Sequence, residues 1–143
     1  MAARAPSTPA LAHELRETLG RVVRRLRAEP GPPVPQLTLL GRLSREGPAS
    51  ISDLAAAERM RPQSMAQTVR ELENAGLVSR RADPEDRRRA FVELTPAGAE
   101  KLEATRAARE DWLAQTLEAD LDADERELLR RALVVLGRIA DAS

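Results

Sequence analysis

Residues 72–98 read LENAGLVSRRADPEDRRRAFVELTPAG, and the order of signals within them decides the fold. Leu72 closes an apolar stripe at helical spacing, and Gly76 is a C-terminal stop, where a left-handed backbone favours glycine. Leu77 to Arg81 and Ala90 to Leu94 alternate apolar with polar residues, as half-buried strands do. Asp83-Pro84-Glu85-Asp86 between them is a turn. Thr95 then caps a new helix, with Pro96 at the first position, where a missing N–H is tolerated. The stretch predicts a helix, an arginine-rich β-hairpin and a second helix.

Working back from Leu72, Met65, Val69 and Leu72 mark one face of a helix running from Pro62 to Ala75. Arg59-Met60-Arg61 is a short turn before it. Ser50-Ile51-Ser52-Asp53 has the form of a capping box, in which Ser50 and Asp53 satisfy each other's free amides, opening a short helix with Leu54 and Ala55 inward. A helix near Pro35 buries Leu37, Leu40 and Leu43 and stops at Gly47-Pro48. Before that, Leu11, Leu15, Leu19, Val22 and Leu26 recur at spacings of three and four, one face of a long helix ended by Pro30-Gly31-Pro32-Pro33. Residues 1–9 are read as a flexible tail.

Forward of Gly98 a helix continues to about Ala119 with a weak apolar stripe. Asp122-Ala123-Asp124-Glu125 is a second capping box. The last helix sets Leu128, Leu129, Ala132, Leu136 and Ile139 on one face. The predicted fold is mainly α with a small β-hairpin (α+β): a winged helix-turn-helix over 34–98, flanked by helices at 10–29 and 96–143, in a single domain over 10–143. A winged core of about 60 residues cannot cover three further helices, so the flanking ones are expected to be dimerisation helices, buried against a second copy across an isologous two-fold axis.

Composition bounds the chemistry. The 143 residues contain no cysteine, no tyrosine and one histidine, His13. Disulfides, thiol switches and histidine-rich metal sites are excluded, and nucleophilic triads and zinc hydrolysis lack parts. An enzyme is not expected, nor a cofactor or a metal. No apolar run approaches the roughly 18 residues of a membrane span. The opening MAARAPSTPA has no apolar signal core, so a cytoplasmic location is expected.

The 23 basic and 23 acidic residues cancel, so only their placement is informative. From Arg59 to Arg89 there are eight arginines against five acids; from Pro96 onward seven basic groups face eleven acidic ones. A basic cluster on a hairpin behind a helix-turn-helix is suited to the backbone or minor groove of double-stranded DNA. Gln63, Ser64, Gln67 and Arg70 lie opposite Met65, Val69 and Leu72 on the second helix of the motif, where glutamine can read adenine and arginine guanine. Arg61, Arg80 and Arg81 are candidate phosphate contacts, and Arg87, Arg88 and Arg89 carry the charge of the wing. The competing use of such a fold is a protein-interaction module without DNA binding. An acidic recognition face would favour that use, and this face is polar and basic.

Ile51-Ser52-Asp53-Leu54-Ala55, Leu72-Glu73-Asn74-Ala75-Gly76-Leu77-Val78, Asp83 to Arg89, and Val92-Glu93-Leu94-Thr95-Pro96-Ala97-Gly98 together resemble the MarR family of bacterial transcription regulators. The pairing of Asp86-x-Arg88 with a helix start at Leu94-Thr95-x-x-Gly98 is the most specific part. The resemblance implies a homodimer, recognition helices in successive major grooves of a pseudo-palindromic operator, and wings in the flanking minor grooves. Arg88 would enter the minor groove while Asp86 braces the turn. The resemblance also implies a regulator, usually a repressor, often relieved by a small aromatic or phenolic ligand. His13 and Arg16, one turn apart on the first helix, border a ligand cleft in the family, and are weak candidates beside the plainer expectation of surface or interface residues. Trp112 is expected to pack in the dimer arm. Many members carry a basic residue where this chain has Glu71, which is expected either to pair with a neighbouring arginine or to accept from a cytosine amino group.

Overall fold

The computed structural model describes residues 5–142. Its elements run α1 (Thr8–Arg27), α2 (Val34–Glu46), β1 (Ala49–Ser50), α3 (Ile51–Ala57), α4 (Pro62–Asn74), β2 (Val78–Ala82), β3 (Ala90–Leu94), α5 (Pro96–Asp120) and α6 (Ala123–Ala140). The chain divides within α5 into two compact units, one ending at Arg106 and one beginning at Ala107.

In the first unit, α2, α3 and α4 close over a three-stranded antiparallel sheet of order β1-β3-β2. Leu39, Leu40 and Leu43 of α2, Leu54 and Ala55 of α3, and Met65, Val69 and Leu72 of α4 meet Val78, Val92 and Leu102 in one core. Each large side chain there contributes about 1.5–3 kcal/mol by leaving water. Leu39 is buried beside Leu40 although the spacing of Leu37, Leu40 and Leu43 does not reveal it. Arg42 ties α2 to α3: its Nε donates to Glu58 and its Nη1 to Glu46. The Glu58 hydrogen bond first, and the Glu46 one second, raise the guanidinium pKa further.

A tight joint ties the hairpin to the helices on either side of it. Gly76 has φ 74°, the left-handed value that ends α4. Thr95 then binds both sides: its hydroxyl donates to the Gly76 carbonyl at 2.7 Å and accepts from the Gly98 amide at 3.0 Å. The Thr95 amide donates to the Leu77 carbonyl at 3.2 Å. The two halves of the quoted stretch are thus one packed unit, and Gly98 has no Cβ because the Leu77 carbonyl fills that space.

Three expectations change in detail. The expected tail, 1–9, reaches into α1: residues 1–4 lie outside the described ones, and the helix begins at Thr8 because the Ser7 hydroxyl accepts from the Ala10 amide at 3.4 Å. Strand β1 is additional to the hairpin, with Ala49 opposite Val92 and Ser50 opposite Phe91. The box at Ser50 is only half made. Its hydroxyl caps the Asp53 amide at 3.1 Å, but Ser50 itself pairs into the sheet and the Asp53 carboxylate turns to Arg89. The box at Asp122 and Glu125 is complete.

Helix α1 buries no residue in the single chain, and Leu11, Leu19, Val22 and Val23 of its apolar face are exposed. In the second unit α6 likewise buries none; Leu128, Leu133, Val135 and Ile139 are exposed, Leu128 at 68%. Trp112 is half-buried on α5. No helix among the described residues is long and apolar enough to cross a membrane.

Candidate nucleic-acid interface

The sequence places Met65, Thr68, Val69 and Leu72 on one side of α4, and all four are buried. Helical periodicity therefore turns Gln63, Ser64, Gln67, Arg70 and Glu71 outward, and each is exposed. Arg61 is the N-cap residue of α4 and is also exposed. Arg59 before it has φ 52°, so the turn between α3 and α4 is closed by a left-handed residue. Thr68 satisfies its buried hydroxyl by donating to the Ser64 carbonyl.

The polar face of α4 is a connected network. Arg70 Nη2 donates to Gln67 Oε1 at 2.7 Å, Gln67 Nε2 donates to Glu71 Oε1 at 3.1 Å, and Gln36 Nε2 of α2 donates to Glu71 Oε2 at 2.9 Å. These contacts lower the Glu71 pKa, the Gln67 hydrogen bond most, then Gln36, with the nearby Arg70 charge adding to them. Glu71 therefore makes its hydrogen bonds with two glutamines, and an arginine acts on it only through space.

At the wing, residues 83–89 form the turn between β2 and β3. The Asp83 amide donates to the Arg89 carbonyl at 3.1 Å, and the Asp83 carboxylate accepts from the Glu85 amide at 2.9 Å. Asp86 Oδ1 accepts from the Arg88 amide at 3.0 Å and from Arg88 Nε at 3.4 Å. The Arg88 side chain is 92% exposed, so its guanidinium stands in solvent while its backbone is held.

The other arginines divide sharply. Arg89 Nη2 turns inward to the Ser50 hydroxyl at 3.3 Å and to Asp53 Oδ2 at 3.2 Å, which latches the wing to the start of α3. Arg80 is paired with Glu73 at 2.8 Å. Arg81 is paired with Glu93 at 3.5 Å and lies over the Phe91 ring. Arg87 and Arg61 have no acidic partner among the described residues. Arg80, Arg88 and Arg89 border a recess with Ser50, Ile51 and Ser52, between the wing and α3. Sequence reasoning missed the parts of Gln36 and Asp53: each meets its partner across about one third of the first unit's length, and no local motif signals that.

His13 and Arg16 are exposed on α1, and Arg16 pairs with its neighbour Glu17 at 2.6 Å. Among the described residues no group of His, Asp and Glu could hold a metal ion.

This winged arrangement recurs in known proteins. The family model of the MarR family matches residues 33–90. An HTH-type transcriptional regulator of Mycobacterium bovis is 38% identical over 136 residues, covering 93% of this chain and 94% of that protein. This chain belongs to the MarR family. A crystal structure of a transcriptional regulator protein from Pseudomonas aeruginosa PA01 superposes with a TM-score of 0.85 at 42% identity, covering 96% of this chain and 100% of the other. A MarR family protein from Bacillus stearothermophilus shares the fold, with a TM-score of 0.75 at 22% identity over 99% of this chain and 100% of its own. The chain is thus a MarR-family transcriptional regulator, of a DNA-binding class and not an enzyme class, and its winged fold is that of its relatives. The family match over 33–90 includes neither α1 nor α6, the two helices that bury no residue.

Proposed function

We propose that this regulator acts as a homodimer on a pseudo-palindromic operator in double-stranded DNA. In this reading α4 enters the major groove, with Gln63, Ser64, Gln67 and Arg70 on its outer face. Arg61 meets a phosphate at the helix start. The wing crosses the flanking minor groove, led by Arg88, with Asp86 bracing the turn and Arg87 and Arg89 beside it. The observation that carries the reading is the outward set of one helix face and one hairpin tip in the same unit, bearing polar and cationic groups only except for Glu71 and the turn acids. An arginine with a held backbone and a largely exposed guanidinium suits a narrow A·T minor groove, whose negative potential attracts it.

The domain organisation proposed with it is a winged unit over 34–98, with dimerisation helices over 10–29 and 96–143 in one functional domain. Bare apolar faces on α1 and on α6 support this, since a second copy would cover each. Two-fold symmetry sets recognition helices about 34 Å apart, one turn of DNA. Repression, relief by a small aromatic or phenolic ligand, and action in the cytoplasm rest on the family resemblance. His13 and Arg16 are the residues to vary first if a ligand is found.

The deciding experiment is a mobility-shift titration on the DNA upstream of the protein's own gene, repeated across salt concentrations. Retarded DNA with affinity falling steeply as salt rises is expected. The absence of any salt-sensitive shift, on that DNA and on sites selected from a genomic library, would overturn the reading in favour of a protein-interaction module.

A further inference from the structure

The network on α4 restricts what its residues can read. A carboxylate at Glu71 only accepts hydrogen bonds, and a guanidinium at Arg70 only donates. Gln67 lies between them, so its amide has one orientation: NH2 toward Glu71, at 3.1 Å, and oxygen toward Arg70, at 2.7 Å. An adenine edge needs both the oxygen and the NH2 of one amide. One hydrogen bond already falls on each, which fixes the plane of the amide and makes Gln67 a positioning group for Arg70.

Arg70 keeps free donors after giving one to Gln67. It therefore remains the cation on this face equipped to hold the O6 and N7 of guanine. What sets its direction is two hydrogen bonds away. Glu71 is also held from a second element, by Gln36 of α2 at 2.9 Å, so its carboxylate is tied to both α4 and α2. Its lowered pKa keeps it anionic, and so an acceptor only, through the neutral range.

Resting on the DNA-binding reading above, we propose that Glu71 sets base specificity indirectly, by locking Gln67 so that Arg70 is aimed as a guanine reader, with Gln36 anchoring the lock from α2. The alternative for an acidic residue on a recognition helix is direct acceptance from a cytosine amino group. Here both Glu71 oxygens accept from glutamines, which ties the carboxylate into the α4 network, and the two roles are separated by the base position that Glu71 affects.

The test is selection of bound sites from a random library by the purified full-length protein and its variants, with far-ultraviolet circular dichroism confirming that each folds. The wild type is expected to enrich guanine at one position of each half-site. Arg70→Ala should abolish that preference. Glu71→Ala should weaken the same preference at least about fivefold, the lower end of what one bidentate arginine–guanine contact contributes. Gln36→Ala should weaken it less. In the Arg70→Ala background, Glu71→Ala should change base preference no further, because the lock acts through Arg70. Four results would overturn the proposal: an unchanged guanine preference in Glu71→Ala, an effect of that variant at a different base position, additive effects in the double variant, or no guanine position in the wild-type site. If the wild type enriches no sequence at all, the DNA-binding reading fails and the lock with it; an enriched site that ignores Glu71 removes the lock alone.

Discussion

Gly98→Ala is the sharpest test of the joint between the recognition helix and the wing. Gly98 lies in the first turn of α5 with ordinary helical backbone, where alanine is intrinsically favoured by about 1 kcal/mol. Propensity alone therefore predicts stabilisation. The site predicts the reverse. A Cβ built on Gly98 runs into the Leu77 carbonyl oxygen, with Leu94 Cδ1 at 2.8 Å and the Leu77 carbonyl carbon at 3.0 Å. That oxygen cannot swing away freely, because it accepts from the Thr95 amide and leads directly into β2. Overpacking against backbone falls at the upper end of the usual range, about 3 kcal/mol. Less the propensity gain, the net loss is about 2 kcal/mol. For a chain of this size that lowers Tm by about 8 °C. Gly137→Ala is the matched control: it also sits inside a helix, nothing lies within 4 Å of its would-be Cβ, and it should raise Tm by up to about 4 °C. Thermal and urea melts at one protein concentration measure both, since association makes Tm depend on concentration. A Gly98→Ala protein melting at or above the wild type would refute the close approach.

Arg88→Ala should weaken binding to every duplex and reduce the salt slope by about one unit, measured by fluorescence anisotropy at several salt concentrations; an unchanged slope removes Arg88 from the phosphate-rich groove. Leu128→Glu on α6 places a charge on a residue that is exposed in the single chain, so the isolated fold should persist while the dimer dissociates. Sedimentation velocity reads this directly, and a wild type that is monomeric at micromolar concentration defeats the dimer proposal. The Glu71 carboxylate has its pKa lowered below the ordinary 4.5 by Gln67 and then Gln36. A depressed acid stabilises the fold fully above its unfolded pKa and loses that contribution as pH falls through the folded one. The stability gap between wild type and Glu71→Ala should therefore be constant near neutrality and shrink below that ordinary pKa, as urea melts across pH would show; a gap that grows on acidification contradicts the network.

The elements of the first unit were legible because their signals are local. Gly76 marks a left-handed turn, Pro62 and Pro96 mark helix starts, and Met65, Val69 and Leu72 repeat at helical spacing. Strand β1 escaped because two residues carry no period, and its identity comes only from Val92 and Phe91, some forty positions later. The same cause halves the capping box at Ser50. Locally Asp53 reads as the partner of Ser50, but an arginine 36 residues away competes for it. The start of α1 was readable in principle, since Ser7-Thr8-Pro9 is a good helix opening; the small polar composition of the segment obscured it.

For the interface, Gln63, Ser64, Gln67, Arg70, Arg87, Arg88 and Arg89, expected from the sequence to face outward, are exposed, and the fold distinguishes the arginines among them. Counting eight arginines between Arg59 and Arg89 treats each as equally available to DNA. Folding makes them unequal. Arg80 and Arg81 run along β2 beside Glu73 and Glu93, Arg89 faces Asp53, and Arg88 Nε lies 3.4 Å from Asp86, so four of the eight already have an acidic partner. Recruiting one of them to a phosphate would first require breaking an ion pair, which lowers its net contribution to affinity. Arg59 and Arg61 at the helix-turn-helix corner and Arg87 at the wing tip have no ion-pair partner among the described residues, and Arg88 stays 92% exposed beside Asp86. Exposed positive charge thus remains at the helix-turn-helix corner, at the wing tip and at Arg70 on the outer face of α4. A chain with zero net charge has little long-range attraction for nucleic acid. In the proposed DNA-binding reading, attraction is left to short-range contacts at α4 and the wing, and the joint at Thr95 and Gly98 would hold the two in register.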